Sequence, residues 1–499
     1  MIATTSFTAG ATRDRLIVLV VLAVAAAFLF IDSRPLPILL WDESRNIVNA
    51  LEMNQAGFGL VTTYEGQPDF WNAKPPLMIW LMTASVRLFG ASEWALRLPS
   101  MVATIGTLLI VLLFVRRTTG SIATGVLAVA FIMLSPSSFG EHSGRVADYD
   151  AVMIFFTTAY LCLFFLALQR RRPGFGLLLL TGAATLCAVM TKDVAGLMPG
   201  LGAALFMVAT GRTSRLWQTG RYAVVAMAIL LVLLAFAITR EAQSPGYLAA
   251  LWHNDVFGRF TQSVIGDEKP RFYYLSLLLA GYFAATPLLL LAPLSLGQVR
   301  GRSRFVLLYA LSVSGTLLLV LTLAASKLNH YVMPAIPFMA IAAAISLRAL
   351  IARFSAARAG GLGGRLIAIG LLAIGTMPLV MASAGGVVRR HGMEIRYEGA
   401  QAGGYGQLLA TLAQRPGPIT VVDTGFENDG DPHYTPILRA YRLIWAERGV
   451  AIRHVTDPGV VARGVPGVIA SCDPAVIPLL SVRGRDIGGT AGCIAVAGR

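Results

Sequence analysis

Residues 38–60 read ILLWDESRNIVNALEMNQAGFGL, and they follow an apolar run, 16–32, that ends where a membrane surface should begin. Two adjacent carboxylates, Asp42 and Glu43, stand beside Trp41 at that edge. Ionisable groups are disfavoured in such a place, by about 2.5–3.5 kcal/mol each at mid-bilayer on insertion scales. What the pair is for depends on which side of a membrane it faces, and first on whether there is a membrane.

Composition answers the first question. Hydrophobic residues make up 56% of the 499 positions and charged ones 13%, with a mean hydropathy of +0.68. A soluble domain carries about 25% charged residues. Segments 16–32, 98–115, 121–138, 151–168, 175–190, 194–209, 222–238, 273–293, 305–324, 331–347 and 366–384 are apolar enough to cross a bilayer. The expected fold is an α-helical polytopic membrane protein of about eleven transmembrane helices. Segment 75–90, PPLMIWLMTASVRLFG, is short and interrupted by Arg87, and reads as a helix at the interface. No small-residue cleavage site separates the first run from the acidic pair, so that run is expected to remain as a span.

The net charge of +15 does not point to nucleic acid, because the basic residues cluster between spans. Arg116/Arg117, Arg170/Arg171/Arg172, Arg300/Arg302/Arg304 and Arg348/Arg353 are examples. Positive loops stay cytoplasmic. One alternation satisfies every cluster, with the N-terminus inside and the loop at about 33–97 outside the cytoplasmic membrane.

From about residue 387 the character changes. Residues 1–386 form the membrane part, whereas in 387–499 glycine, proline and charge rise and the short runs PITVVD, GVIASCD and CIAVA read as strands around a helical PILRAYRLIWAERG. A small extracytoplasmic α/β domain is expected there. It holds Cys472 and Cys493, a disulfide candidate in an oxidising compartment, while Cys162 and Cys187 lie in spans.

This topology collects the unusual polar residues on the outer side. The first outer loop holds Asp42, Glu43, Arg45, Glu65, Asp69 and Lys74; the second, GEHSGRVADYDA, holds Glu141, His142, Arg145, Asp148 and Asp150. Lys192 and Asp193 follow in MTKDVAG, and Lys327, Asn329, His330 and Tyr331 in ASKLNHYVMP. Singly, each has a plain explanation. Asp42 can cap the helix after it, Asp150 the next span, and Lys74 can snorkel ahead of Pro75-Pro76. With a further outer loop from about Arg240 to Arg271, five loop ends of one face carry carboxylates, lysines and imidazole, while the cytoplasmic loops hold little but arginine. Caps alone would be shared by both faces.

No GxxxxGK[ST], strand–GxGxxG–helix, HExxH or paired CxxC occurs. An outer-face enzyme without a nucleotide site would draw its activated group from a lipid-linked phosphate donor. The run WDESRNIVNALEM…GQPDFWNAKPPLMIWLMTASVRLFGASEWALRLPS, with GRVADYDAVMIFF and SKLNHYVMPAIP, resembles the GT-C glycosyltransferases, in the branch of the protein O-mannosyltransferases and the lipid A aminoarabinose transferase. The resemblance touches most of residues 15–345.

That resemblance implies a catalytic Asp42 with Glu43 beside it, and a second acidic residue at Asp150 or Asp148. Lys74 matches the lysine of a KPP motif at the donor phosphate, and Lys327 and Tyr331 match a K-L-x-x-Y motif there, with Asn329-His330 where a proline is common. Arg145 and His330 add to the same phosphate-binding set. Some relatives hold a divalent metal with acidic residues of the first loop and others do not, so no metal ligand is assigned. The expected function is transfer of a sugar from polyprenyl phosphate to a lipid, glycan or protein acceptor, among membrane lipids and without nucleic acid. Two other readings compete. A transporter or flippase for an anionic or lipid-linked substrate would place its charges near mid-membrane and show repeats; here they sit at span ends. A binding module with an anchor would not need some eleven spans.

Overall fold

The structure is a computed structural model that describes residues 3–31, 38, 42–135, 138, 142–213, 220–256, 261, 269–357, 403–415, 417–424, 436–490 and 492–498. Helix α1 (Ala3–Ile31) leads to α2 (Asp42–Ala56), a two-residue hairpin of β1 (Thr63–Tyr64) and β2 (Gln67–Pro68), and the short α3 (Leu77–Phe89). The bundle follows: α4 (Glu93–Thr119), α5 (Ile122–Met133), α6 (Tyr149–Leu168), α7 (Phe175–Lys192), α8 (Gly200–Ala209), α9 (Arg221–Gln243), α10 (Gly301–Leu323) and α11 (Ile336–Ala357).

Six described helical segments are long and apolar enough to cross a membrane: Glu93–Thr119, Tyr149–Leu168, Phe175–Gly196, Arg221–Gln243, Gly301–Leu323 and Asn329–Arg353. Their ends are written in the sequence. Ser92 caps α4 by accepting from Ala95 N–H, and Gly120, at φ +72°, closes the other end by donating to Arg116 O. Arg221–Gln243 is the most apolar of the six, and no residue of its apolar window is fully buried against the described residues.

Three expected spans differ. Among the described residues of segment 121–138, the helix Ile122–Met133 spans 12 residues and gives way to a turn at Leu134, ahead of Pro136 in the sequence. Segment 194–209 begins with a 3-10 turn, Asp193–Gly196, and regains helix after Pro199. Segment 273–293 is broken into Tyr273–Leu277, a π-turn at Leu278–Tyr282, and Thr286–Leu290, because Gly281 takes φ +92° and Pro287 restarts the chain. Segment 366–384 and the boundary at 386/387 lie outside the described residues.

The bundle core is aromatic where α4, α6, α8, α10 and α11 meet. Phe165 lies 5.4 Å from Phe114 and 4.9 Å from Tyr309, and Tyr309 is 5.1 Å from Phe206, by ring centroids. Small residues bring backbones together, as is common between membrane helices. A Cβ on Gly202 of α8 would come within 2.5 Å of Ser312 O and Val313 Cα of α10. Ser312 uses the closeness to donate to Gly202 O at 2.8 Å.

The C-terminal part is a four-stranded sheet in the order β4-β3-β5-β6, parallel except for β6, built from β3 (Ile419–Val422), β4 (Ile452–Val455), β5 (Val468–Ser471) and β6 (Ile494–Ala497). Helices α12 (Gly403–Leu412), α13 (Pro436–Glu447), α14 (Gly459–Arg463) and α15 (Ile477–Arg483) accompany it. A disulfide joins Cys472, after β5, to Cys493, before β6. Strand β4 escapes the sequence reading because two of its four residues, Arg453 and His454, are basic.

Helix α13 fixes this domain to the first loop. Its Ile437, Leu438, Tyr441 and Ile444 are buried in one cluster with Ile47, Val48 and Leu51 of α2 and Met78 and Met82 of α3. Tyr441 Oη accepts from Ile38 N–H at 3.1 Å, and the Arg448 guanidinium donates twice to Ala91 O, at 2.7 and 3.0 Å.

Candidate functional site

Asp42 and Glu43 open α2, and their surroundings part at once. The Glu43 side chain is 1% exposed and that of Asp42 46%. Arg97 of α4 grips both Glu43 oxygens, Nε to Oε1 at 2.6 Å and Nη2 to Oε2 at 2.9 Å, and Ala147 N–H donates to Oε1 at 3.0 Å. Asn46, one turn along, donates to Ala147 O at 3.1 Å. The start of α2 is thereby clamped to α4 and to the loop before α6.

That loop delivers the next groups. Asp148, not Asp150, is the N-cap of α6, accepting from Tyr149 N–H at 2.6 Å. Its other oxygen meets His142 Nδ1. The same nitrogen lies 3.8 Å from Asp42 Oδ2 and 3.9 Å from Asp150 Oδ2. Lys192, at the end of α7, donates to Asp150 Oδ1 at 2.7 Å. His330, in the 3-10 turn Asn329–Ala335 that leads into α11, stacks on His142 with centroids 3.7 Å apart. The start of α2, the α6–α7 hairpin and the α10–α11 connection thus converge at one end of the bundle.

Electrostatics follow from this crowding. Burial pushes the His142 imidazole down, but Asp148, with Asp42 and Asp150 behind it, outweighs burial and holds it up at about 9. Burial raises Asp148, and His142 and Lys192 reverse that, leaving it well below the usual carboxylate range. Asp193, directly after Lys192, takes φ +45°, a value non-glycine residues rarely adopt.

Lys74 is placed by Asp69. Arg45 holds Asp69 with two 2.8 Å bonds, and Asp69 Oδ1 accepts from the backbone N–H of Trp71 and Asn72 at 3.1 Å each. Burial raises Asp69, and Arg45 overrides it, so its carboxyl sits below 3.8. The Lys74 ammonium contacts Asn72 Oδ1 at 3.3 Å and lies 5.3 Å from the centre of the Tyr149 ring, between the Asp148 and Asp150 positions of the chain. Lys327 is buried and donates to Ala324 O at 2.5 Å, satisfying a carbonyl at the end of α10. Arg145 is buried too, and Tyr331 packs edge-on against His330 at 4.8 Å.

Arg97, His142 and Lys192 received no role in the sequence reading. Arg97 had a signal, as an arginine immediately before the apolar run 98–115 at a membrane edge, where a charge requires a partner. The donor set also bears on a cation. His142, Asp150 and His330, or Asp42, His142 and Asp148, each offer three ligand atoms lying within 4.8 Å of one another. Such mixed imidazole and carboxylate sets suit zinc or manganese, and a bound ion there would polarise an oxygen of the substrate.

Residues 73–238 match the family described as dolichyl-phosphate-mannose-protein mannosyltransferase. Similar curated proteins include the undecaprenyl phosphate-alpha-4-amino-4-deoxy-L-arabinose arabinosyl transferase of Edwardsiella ictaluri, 29% identical over 64% of this chain and 57% of its own length. That of Shewanella sediminis is 28% identical over 64% of this chain and 58% of its own. The chain therefore spans somewhat more than half the length of these relatives. The crystal structure of ArnT from Cupriavidus metallidurans bound to undecaprenyl phosphate superposes with a TM-score of 0.65 at 18% identity, over 96% of this chain and 97% of that one. Its apo state gives 0.61 at 20% identity, over 99% and 98%.

Proposed function

From its relation to the aminoarabinose-transferase branch of the GT-C superfamily, whose fold it shares, we propose that this membrane protein is a glycosyltransferase. It moves a sugar from a polyprenyl-phosphate donor to a hydroxyl or phosphate of a lipid, glycan or protein acceptor. One observation carries the reading: Asp42, Asp148 and Asp150 lie around one imidazole, beside Lys192 and the Lys74 loop, at a single end of the bundle. The names of the similar transferases support the donor class. Charges at span ends rather than mid-helix weigh against a transporter.

The chemistry fits the placement. An acceptor O–H attacks the anomeric carbon, the bond from that carbon to the phosphate oxygen breaks, and polyprenyl phosphate leaves with the electron pair. Configuration inverts in a single displacement. Asp42, the exposed member of the pair, takes the acceptor proton as general base. Lys74 and Lys192 stabilise charge on the departing phosphate, with Tyr331 and His330 on the facing turn. Glu43 acts at one remove, because Arg97 and Ala147 N–H engage its oxygens. Lys327 and Arg145, both buried, complete the proposed phosphate-binding set. The lipid tail lies along the bundle surface, which is why the site stands at a membrane edge.

We place this end of the bundle outside the cytoplasm, with the C-terminal domain there and the N-terminus inside, on the arginine distribution. A cysteine at the exposed Gln67 should then react with an impermeant thiol reagent in intact spheroplasts. Activity is tested by incubating purified protein with undecaprenyl-phosphate-linked sugars, aminoarabinose first, and measuring acceptor-dependent release of undecaprenyl phosphate. Release from none of the donors would refute the proposal.

A further inference from the structure

The C-terminal domain holds a second concavity, made from no residue of the polar cluster. It is a hollow of about 520 Å³ between α13 and the edge strand β4. Its floor is apolar, from Pro418, Ala446, Ala451 and Ile452, and its wall is basic, from Arg442, Arg453 and His454. Among the described residues lining it there is no carboxylate.

The basic wall has an internal order. Arg442 Nη1 donates to His454 Nδ1 at 3.0 Å, which fixes the guanidinium against the imidazole. Burial lowers His454, and the guanidinium groups of Arg442 and Arg439 lower it further, to about 4. Arg439 is itself paired with Glu65 of the first loop. The positive field at the hollow is what an anion would offset. Arginine suits phosphate in particular, since its planar fork donates two parallel N–H bonds to two oxygens.

We propose that this hollow binds a phosphate-bearing anion, with Arg442 as the fork, Arg453 as the further donor, and the apolar floor under the carbon chain next to the phosphate. An anionic lipid headgroup and a soluble phosphate ester share that chemistry. The site is lined by Arg442 and Ala446 of the same helix that packs on the first loop, and by no residue of the cluster at Asp42.

The test uses the full chain in phosphatidylcholine nanodiscs, titrated calorimetrically with inorganic phosphate at constant ionic strength. The expected result is a saturable event weakened at least tenfold by Arg442→Ala and lost with Arg442→Glu, but kept by Arg485→Ala, a change at an exposed arginine of the same domain. Apparent melting temperatures near wild type exclude misfolding of the half-buried Arg442 variants. A second reading is spectroscopic: phosphate should raise the pKa of His454, followed by NMR of labelled histidine, and leave it unmoved in Arg442→Ala. Loss of the event in phosphatidylglycerol nanodiscs identifies a lipid headgroup as the competitor, and its persistence identifies a soluble ester. Equal phosphate affinity in wild type and Arg442→Glu overturns the proposal.

Discussion

The clamp around Glu43 and the cluster around His142 begin at neighbouring residues and follow opposite rules. In the clamp every partner is matched, carboxylate to guanidinium and backbone to side chain, and all of it is buried. In the cluster one imidazole nitrogen stands within 4 Å of three carboxylates, and one of these, Asp42, is nearly half exposed. A matched pair resists change and holds geometry. An over-supplied one has oxygens left for a proton, a cation or a substrate. Adjacent residues of the same type thus differ in role because of what packs above them.

The sharpest way to break the comparison is Asp42→Asn. It keeps size and hydrogen bonding but removes the base, and turnover should fall about 10²–10⁴-fold with melting temperature unchanged. Near wild-type turnover would reduce Asp42 to a helix-start residue.

Arg97→Ala should do the reverse. It strands the buried Glu43 charge, for which about 3–5 kcal/mol of destabilisation is expected, read as a large drop in the apparent melting temperature in detergent. Arg97→Ala with wild-type melting would mean that the clamp holds nothing.

Lys74→Ala should weaken donor binding about tenfold or more, the loss of a charge-assisted hydrogen bond, and slow transfer as well because charge on the phosphate grows as the bond breaks. Binding of a non-transferable donor analogue and turnover, measured separately, check it. A change in neither removes Lys74 from the site.

The smallest effect concerns Asp69. Its folded pKa is depressed, so its contribution to stability is complete above the unfolded value of 3.8 and is lost as pH falls through the folded one. The melting difference between wild type and Asp69→Asn should be constant above about pH 5 and shrink below 3.8. A pH-independent difference would mean that Asp69 acts by shape alone.

Periodicity made the long elements legible: the apolar windows of α4, α6, α7, α9 and α10, the strand runs of β3, β5 and β6, and the amphipathic α13. It failed where backbone chemistry overrides hydropathy, as at Gly281 with Pro287, and where an edge strand is armoured with charge, as in β4. For the site, the arginine distribution was enough to bring Asp42, Asp148, Asp150, Lys74 and His330 to one side. It could not separate Glu43 from Asp42, because the partner that distinguishes them is 54 residues away. Nor could it show that Asp148 is the cap, or that the Lys327 ammonium meets the end of its own preceding helix. Such facts depend on rotamers and on which helix ends meet, and a one-dimensional pattern carries neither.

The bond from Ile38 to Tyr441 joins positions 403 residues apart, and this sets a schedule for biosynthesis. The ribosome makes α2 well before α13, and at about 5–20 residues per second the interval is roughly 20–80 seconds. Throughout it, Ile47, Val48 and Leu51 lack the helix that covers them. The first loop is completed only when the domain carrying α13 arrives, so a chain released before α13 would carry Asp42 and Glu43 on a helix with one apolar face uncovered.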